Sequence, residues 1–407
     1  MIGGPHVVVG LDVGSTKTCA VILESGPDGE GPDRVLGVGI ARTEGLRSEA
    51  VTDLEATTRS IRESVREAEI MAGLEVESAY VGLTGAHVEV GSSSGVVAVS
   101  GHEITDQDMA RVHEVGRAVV VPPDRELVHA IPQEYAVDGR GGIHAPIGMT
   151  GTRLEAELCI VTADSAACRD LRRAVDRAGY GVEELVLEPL ASSLAVLRDS
   201  EREAGVALVE VGGARTEVAV FHSGKIRRLT SLRWGGQTVT NDIIKGLGVP
   251  VEEAERLKRE FGAARAALVD REERIEVPGP APGLTRKVSR ELLAHIIEQR
   301  LDEIFGLVYD DLEEAGLREG LTTGIVLTGG TVSLPGAVEL AQGVFNLPVR
   351  LGEPGADLTG LADAVRRPKF ATAVGLALYG KMREGRRGGG VAGRTLARVT
   401  EWLRDFF

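Results

Sequence analysis

The chain is poor in the residues that staple a fold, span a bilayer or grip a polyanion. Its three cysteines in 407 residues, Cys19, Cys159 and Cys168, show no paired metal spacing and make no disulfide framework, which fits a reducing, intracellular compartment. No stretch holds the roughly 20 consecutive apolar residues that cross a bilayer, so any membrane contact is expected at the surface. The opening "MIGGPHVVVG" lacks a basic cluster before a long apolar run, so no secretion signal is expected. Positive charge is also in deficit. Lys and Arg number 46 against 61 Asp and Glu, a formal net charge of -15, which excludes bulk attraction to nucleic acid. Aromatics are scarce at 7 Phe, 5 Tyr and 2 Trp, yet Trp402, Phe406 and Phe407 crowd the end of the sequence.

What is present is globular: 43% hydrophobic side chains over a length that supports two or more cores. "HVVVGLDVGSTKTCAVILE" reads as two β-branched runs around a Gly/Ser/Thr turn, a hairpin. Residues 53–72 carry Leu54, Ile61, Val65, Ala68 and Met71 at helical spacing. Residues 79–165 alternate short strands with one helix near 105–118. A helix over 165–178 and the apolar helix "EPLASSLAVL" follow. At residue 205 the chain restarts: "GVALVEVGGARTEVAVFHSGKIRR" is again strand, glycine turn, strand, a weak internal repeat that implies two related halves. Helices are expected near 236–247, 250–261 and 289–315, then a third strand-glycine unit, "TGIVLTGGTVSLPG". "REGRRGGGVAG", residues 383–393, reads as a flexible linker because Gly and Arg dominate it.

Taken singly, each glycine turn is an ordinary hairpin mark. Their order and spacing carry the information. In Asp12-Val13-Gly14-Ser15-Thr16-Lys17, a Gly14 at positive φ bares backbone N–H groups as an anion cradle. Ser15 and Thr16 add hydroxyls, Lys17 a point charge, and Asp12 a hard oxygen ligand for Mg2+ through water. In the second turn, Glu210 supplies the carboxylate, Gly212 and Gly213 the bare backbone, and Thr216 a hydroxyl. Two such hairpins facing each other would grip a phosphate chain from both sides. In the third, Gly329-Gly330-Thr331 offer bare backbone to a flat base and the α-phosphate at a helix start.

This order resembles the actin/Hsp70/sugar-kinase superfamily: phosphate-1 hairpin, connecting helix, phosphate-2 hairpin, adenosine motif. The resemblance implies an α/β, actin-like ATPase fold of two lobes with a duplicated ribonuclease-H-like core, with ATP and Mg2+ as cofactors. It gives Glu188 of "EPLASSLAVL" the role of orienting water at the γ-phosphate, and Asp12 and Glu210 that of holding Mg2+ through water. It adds Gly235 and Gly236 to the nucleotide contacts. "EEAERLKREFG" resembles the ribose- and base-contacting helix of bacterial actins, with Glu255 and Lys258 one turn apart. Taken alone, that pair is a solvated helix salt bridge.

Longer stretches narrow the family. "YVGLTGAH", "HAIPQEYAVDGRGGIHAPIGMTGTRLEAELCIVTA", "WGGQTVTNDI" and "GLADAVRRPKFATAVGLALYG" are similar to the bacterial cell-division actin homologue FtsA over nearly the whole chain. The division this implies is subdomain 1A in residues 1–84, 166–204 and 368–382, and an inserted 1C in 85–165. Subdomain 2A falls in 205–249 and 316–367, and 2B in 250–315. Many superfamily members carry Asp-x-Gly-Gly-Gly-Thr at phosphate 2. Glu210 is one methylene longer than that Asp, and Arg215 either crowds the phosphates or points away. Nucleotide binding with weak or no turnover is therefore the expectation.

The crowded tail fits this family. On a helix over 394–407, Leu396, Val399, Trp402, Leu403, Phe406 and Phe407 fall within an arc of about 140°. Arg394, Arg398 and Arg404 lie on the opposite side. Residues 381–407 hold seven basic and three acidic side chains, net +4. Such a helix, about 21 Å long, suits an in-plane anchor on anionic lipid. The resemblance implies a peripheral protein at the cytoplasmic face of the membrane at the division site. Its implied partners are the tail of the tubulin homologue FtsZ, further copies of itself in filaments, and later division proteins. "LLAHIIEQRLDEIFGLV" matches the helix that meets the FtsZ tail, which makes Arg300 the candidate for an acidic peptide. A sugar kinase of the same fold would need a catalytic base at a sugar pocket, and none stands out. The pilus-assembly actin-like protein shares the insertion but is not expected to end in a membrane-binding helix.

Overall fold

The computed structural model describes residues 6–26, 31–47, 49–279 and 284–387. The lipid-facing and basic positions expected in the last helix, from Arg394 to Phe407, lie outside the described residues.

The first half opens with β1 (His6–Val13), β2 (Lys17–Ser25), β3 (Arg34–Arg42) and a small pair, β4 (Leu46–Arg47) and β5 (Ala50–Val51). Helix α1 (Leu54–Ala72) and β6 (Ser78–Leu83) follow. The start of α1 is set by Asp53, whose side chain accepts from the Ala56 N–H, and its end by Gly73 at φ 70°. An inserted domain comes next: β7 (Val88–Ala98), α2 (Asp106–Arg117), β8 (Arg125–Val137), β9 (Arg140–Ile143) and β10 (Arg153–Asp164). The strands here are not short; β8 has 13 residues and β10 has 12. Long antiparallel pairing carries β8 and β10 through two register shifts, at Glu157/Leu158 and Val161/Thr162, and past polar positions that, read locally, look like breaks.

The chain returns through α3 (Ser165–Ala178), β11 (Gly181–Leu187), α4 (Glu188–Val196) and α5 (Asp199–Ala204). The second half repeats the opening: β12 (Val206–Val211), β13 (Thr216–His222), β14 (Lys225–Leu232), α6 (Gly236–Leu247), α7 (Val251–Phe261), β15 (Arg274–Pro278), β16 (Thr285–Ser289) and α8 (Arg290–Glu314). It closes with β17 (Ile325–Thr328), α9 (Ala337–Phe345), β18 (Val349–Leu351), β19 (Thr359–Gly360), α10 (Ala362–Val365) and α11 (Ala371–Arg387).

Two sheets carry the duplication. The first runs β11-β6-β1-β2-β3-β19 and the second β14-β13-β12-β17-β18. In each, an antiparallel hairpin (β1/β2, β12/β13) sits beside a parallel strand (β6, β17). The inserted domain forms its own sheet, β7-β10-β8-β9. A shared apolar cluster joins all three parts, with Ile131 and Val161 of the insertion, Leu190 of the first lobe, and Leu208 and Phe221 of the second. Helix α11 lies on α4, and Gly375 makes this possible: a Cβ there would lie 1.8 Å from the Ala191 carbonyl oxygen.

Helix α11 continues to Arg387, so a linker starting at 383 is corrected. Arg383 bonds Glu184 at 3.0 Å, and Glu384 accepts from Tyr80 at 3.2 Å. These ties hold a helical turn that composition alone reads as loose.

Candidate functional site

The two hairpins meet at the centre of the molecule. A Cβ added to Gly213 would lie 2.5 Å from Thr16 Cγ2 and 3.0 Å from Ser15 Oγ. Only glycine lets the second turn approach the first this closely. The backbones correspond: Gly14 N–H donates to Lys17 O at 3.1 Å, and Gly212 N–H to Arg215 O at 2.9 Å. Gly14 does not take a positive φ as expected. A Cβ there would lie 3.1 Å from Lys17 O and 3.3 Å from Asp12 Oδ1, so its value is close approach.

At the first hairpin, Lys17 Nζ donates to the buried Asp12 Oδ2 at 2.5 Å. Burial opposes the Lys17 charge, but Asp12 outweighs it and holds the ammonium above its ordinary pKa. At the second, Glu210 reaches into the other lobe. Its Oε2 accepts from Ser192 Oγ of α4 at 2.5 Å and its Oε1 from Thr372 Oγ1 of α11 at 2.6 Å. Burial pushes Glu210 up to about 7, against the pull of those two hydroxyls. Glu188 begins α4 and is buried. Burial, then Asp12 and Glu210 beside it, hold its carboxyl well above the usual range.

Arg215 points away from the glycine turn. Its Nε donates to Ser231 Oγ at 2.6 Å and lies 3.6 Å from Glu217. Glu217 Oε1 in turn accepts from Thr84 of the first lobe at 2.6 Å, a second tie between lobes. Thr216 Oγ1 donates to the Trp234 carbonyl at 2.7 Å.

The remaining nucleotide candidates gather beside the second turn. Gly236 N–H donates to Gly212 O at 2.9 Å, Gln237 N–H to Gly213 O at 2.7 Å, and Thr331 Oγ1 to Gly212 O at 2.9 Å. The start of α6 and the Thr331 hydroxyl thus spend these donors on the hairpin's carbonyls. A Cβ at Gly235 would lie 2.7 Å from Gly213 O. Lys258 Nζ bonds Gly236 O at 2.9 Å, Thr240 at 2.7 Å and Glu255 at 2.8 Å. Burial lowers the Lys258 pKa despite Glu255, so this pair is not the free surface bridge its sequence context alone describes. Gly329, at φ 92°, closes on Val211, and Gly330 leads into one 3-10 turn, Thr331–Ser333. The full helix begins only at Ala337, so a helix start at this turn is corrected. Leu334-Pro335-Gly336 stand between, and Pro335 offers no N–H to carry a helix through.

A Cβ at Gly213 would strike Thr16, and one at Gly236 would strike the Thr331 hydroxyl, so glycine at both positions lets the turns and the start of α6 close on one another. Asp12 and Glu210 offer hard oxygens suited to Mg2+ through water. No three His, Cys, Asp or Glu side chains form a metal cluster among the described residues. Arg300 lies elsewhere, on α8. It bonds Asp242 and Glu303, both at 2.5 Å, and its guanidinium stands 5.4 Å over the Trp234 ring. It borders a groove of about 670 Å3 with Lys245, His295 and Ile296.

Known proteins decide the family. The profile described as "Cell division protein FtsA" matches residues 207–375, and that of the "SHS2 domain inserted in FTSA" matches residues 85–162. The cell division protein FtsA of Pseudomonas aeruginosa is 39% identical over 378 residues, 93% of this chain and 90% of its own length. The chain belongs to the FtsA family. Among solved structures, a PilM-PilN type IV pilus biogenesis complex covers 92% of this FtsA-family chain and 98% of its own at TM-score 0.65 and 18% identity. MreB5 of Spiroplasma citri bound to ADP covers 95% and 99% at TM-score 0.56 and 15% identity. These two show the actin-like fold. No helix among the described residues is long and apolar enough to cross a membrane.

Sequence reasoning missed Ser192, Thr372, Thr84 and Glu217 in this FtsA-family cleft. A signal existed for three of them. Ser192 and Thr372 are polar positions within the apolar stretches "LASSLAV" and "ATAVGLAL", and Glu217 stands at the head of the apolar run "VAVF".

Proposed function

We propose that this chain is a nucleotide-regulated adaptor of cell division. It binds ATP with Mg2+ between the two hairpins and assembles into filaments with other copies. It carries FtsZ to the cytoplasmic face of the membrane through residues 394–407, where later division proteins join. The observation that carries the reading is the facing of the two hairpins across Gly213 and Thr16, within a family of cell division proteins. Gly14, Ser15, Thr16, Lys17, Gly212, Gly213 and Thr216 would hold the phosphates. Gly235, Gly236, Glu255, Lys258, Gly329, Gly330 and Thr331 would hold the nucleoside. Mg2+, when bound through water to Asp12 and Glu210, would neutralise phosphate charge.

Weak turnover is expected at the second turn, where Glu210 is one methylene longer than the Asp many superfamily members carry and both its oxygens are already held by Ser192 and Thr372. The groove beside Arg300 holds Lys245 and the apolar Ile296 but also Asp242, Asp302 and Glu303, so the FtsZ assignment rests on the family and on Arg300 exchanging its own carboxylate partners for those of the peptide. An acidic peptide there displaces the contacts of Arg300 to Asp242 and Glu303.

One co-sedimentation experiment separates these parts. Full chain should carry a labelled FtsZ-tail peptide down with anionic liposomes. Arg300→Glu should lose the peptide and keep the liposomes; deletion of 394–407 should lose both. A deletion that still sediments with liposomes removes the anchor from the account.

A further inference from the structure

Strand β7 is the edge of the inserted sheet and, among the described residues, pairs on one side only, with β10. Its register with β10 runs unbroken over 11 residues, Val88 to Ala98, without a bulge. Edge strands are usually blunted by lysine, proline, a bulge or a covering element. This one has none of the first three. Helix α2 covers its inner face, packing so closely that a Cβ at Gly95 would lie 2.2 Å from the Val112 carbonyl oxygen. On the other face, Val90 and Val96 are each 42% exposed, and Ser92 and Ser94 are exposed between them.

The order of side chains on this strand says what fits it. "VEVGSSSGVVA" is nearly the same read in either direction about Ser93. Val90 mirrors Val96, Gly91 mirrors Gly95, and Ser92 mirrors Ser94. Antiparallel pairing reverses one strand against the other, so a sequence that mirrors itself is complementary to its own copy. We propose that β7 pairs with β7 of a second copy of this chain across a two-fold axis at Ser93. The two four-stranded sheets become one continuous sheet.

In that register Val90 of each copy stands opposite Val96 of the other, twice, on the face away from α2. The strand's one charged residue, Glu89, stands opposite Val97 and not against its own copy. Two chains of net charge -15 thus meet along a seam with no like charges directly opposed, the arrangement cross-strand pairing favours. A two-fold contact closes after two copies and does not propagate. It rests on none of the nucleotide, membrane or FtsZ assignments.

The test uses sedimentation equilibrium of the full chain, without nucleotide or lipid, over roughly 1 to 100 μM. The wild type should show a monomer–dimer equilibrium. Val90→Lys with Val96→Lys sets lysines opposite each other and should weaken it on the order of tenfold or more. Val90→Glu with Val96→Lys sets opposite charges at the same places and should restore it. Val90 and Val96 are both exposed, and a thermal melt confirms that each variant folds. Ser93→Cys should cross-link copies under mild oxidation, because the three native cysteines are buried and residue 93 meets itself. Ser92→Cys or Ser94→Cys alone should not. A wild type that stays monomeric, equal behaviour of the two charge variants, or stronger cross-linking through position 92 or 94 overturns the pairing and leaves the filament reading untouched.

Discussion

At the first hairpin the Lys17 ammonium turns back onto Asp12; at the second, Arg215 in the corresponding place leaves its turn for Ser231 and Glu217. The carboxylates diverge in the same way. Asp12 takes its partner from its own hairpin, whereas Glu210 takes two hydroxyls from α4 and α11 across the cleft. The backbones match down to the Gly-to-carbonyl bond that closes each turn. A duplicated backbone has thus been given two jobs. The first turn keeps a cation beside the cleft, and the second locks the lobes together.

The sharpest way to break this comparison is to separate the turns. Gly213→Val places atoms where Thr16 already stands, and overpacking of a rigid contact forces the backbones apart. ATP affinity should fall by about two orders of magnitude, roughly 3 kcal/mol, in a titration with a fluorescent ATP analogue. Undiminished affinity would mean the hairpins do not clamp the nucleotide.

The locking role of Glu210 is tested by removing its donors. Ser192→Ala with Thr372→Val leaves a buried carboxyl without hydroxyl partners and should reduce stability by about 2 kcal/mol in urea unfolding. The pH dependence follows from the raised pKa. Folded, Glu210 titrates at about 7 against an ordinary 4.5. Its contribution is therefore full below 4.5 and lost as pH climbs through 7. Glu49, also pushed up to about 7 by burial, acts in the same direction. Stability of the wild type should fall over that window, and Glu210→Gln should flatten part of the fall. A wild type whose stability rises from pH 5 to 8 by this route contradicts the assignment.

The smallest effect sharpens the difference between the two cations. Lys17→Ala should weaken ATP binding on the order of tenfold. Arg215→Ala should change it less than about threefold, because that guanidinium points elsewhere. Equal losses in the two titrations would erase the distinction.

Much of this was legible from residue order. Helical spacing located α1 because Ile61, Val65 and Ala68 form one stripe facing the first lobe's core. The restart at residue 205 announced the second sheet because β-branched runs around a glycine turn recur there. What stayed hidden were contacts between residues far apart in sequence. Nothing near Glu210 names Thr372, 162 positions away, and nothing near Thr84 names Glu217. Arg215 was ambiguous because its direction depends on Ser231, on a strand that the turn itself does not define. Helix α11 outran the expected linker because Glu184 and Tyr80, from strands laid down much earlier, hold its last turns.

Helix α11 joins two events that would otherwise be independent. Thr372, in its first turn, grips the cleft carboxyl, and Arg383 and Glu384, three turns on, are fastened to β11 and β6. Its 17 residues make a rod about 25 Å long. A shift of the second lobe that pulls on Glu210 bears on one end of that rod, while the other end is bolted to the first lobe. The helix is thus a mast up to Arg387, and its foot stands in the cleft between the two lobes.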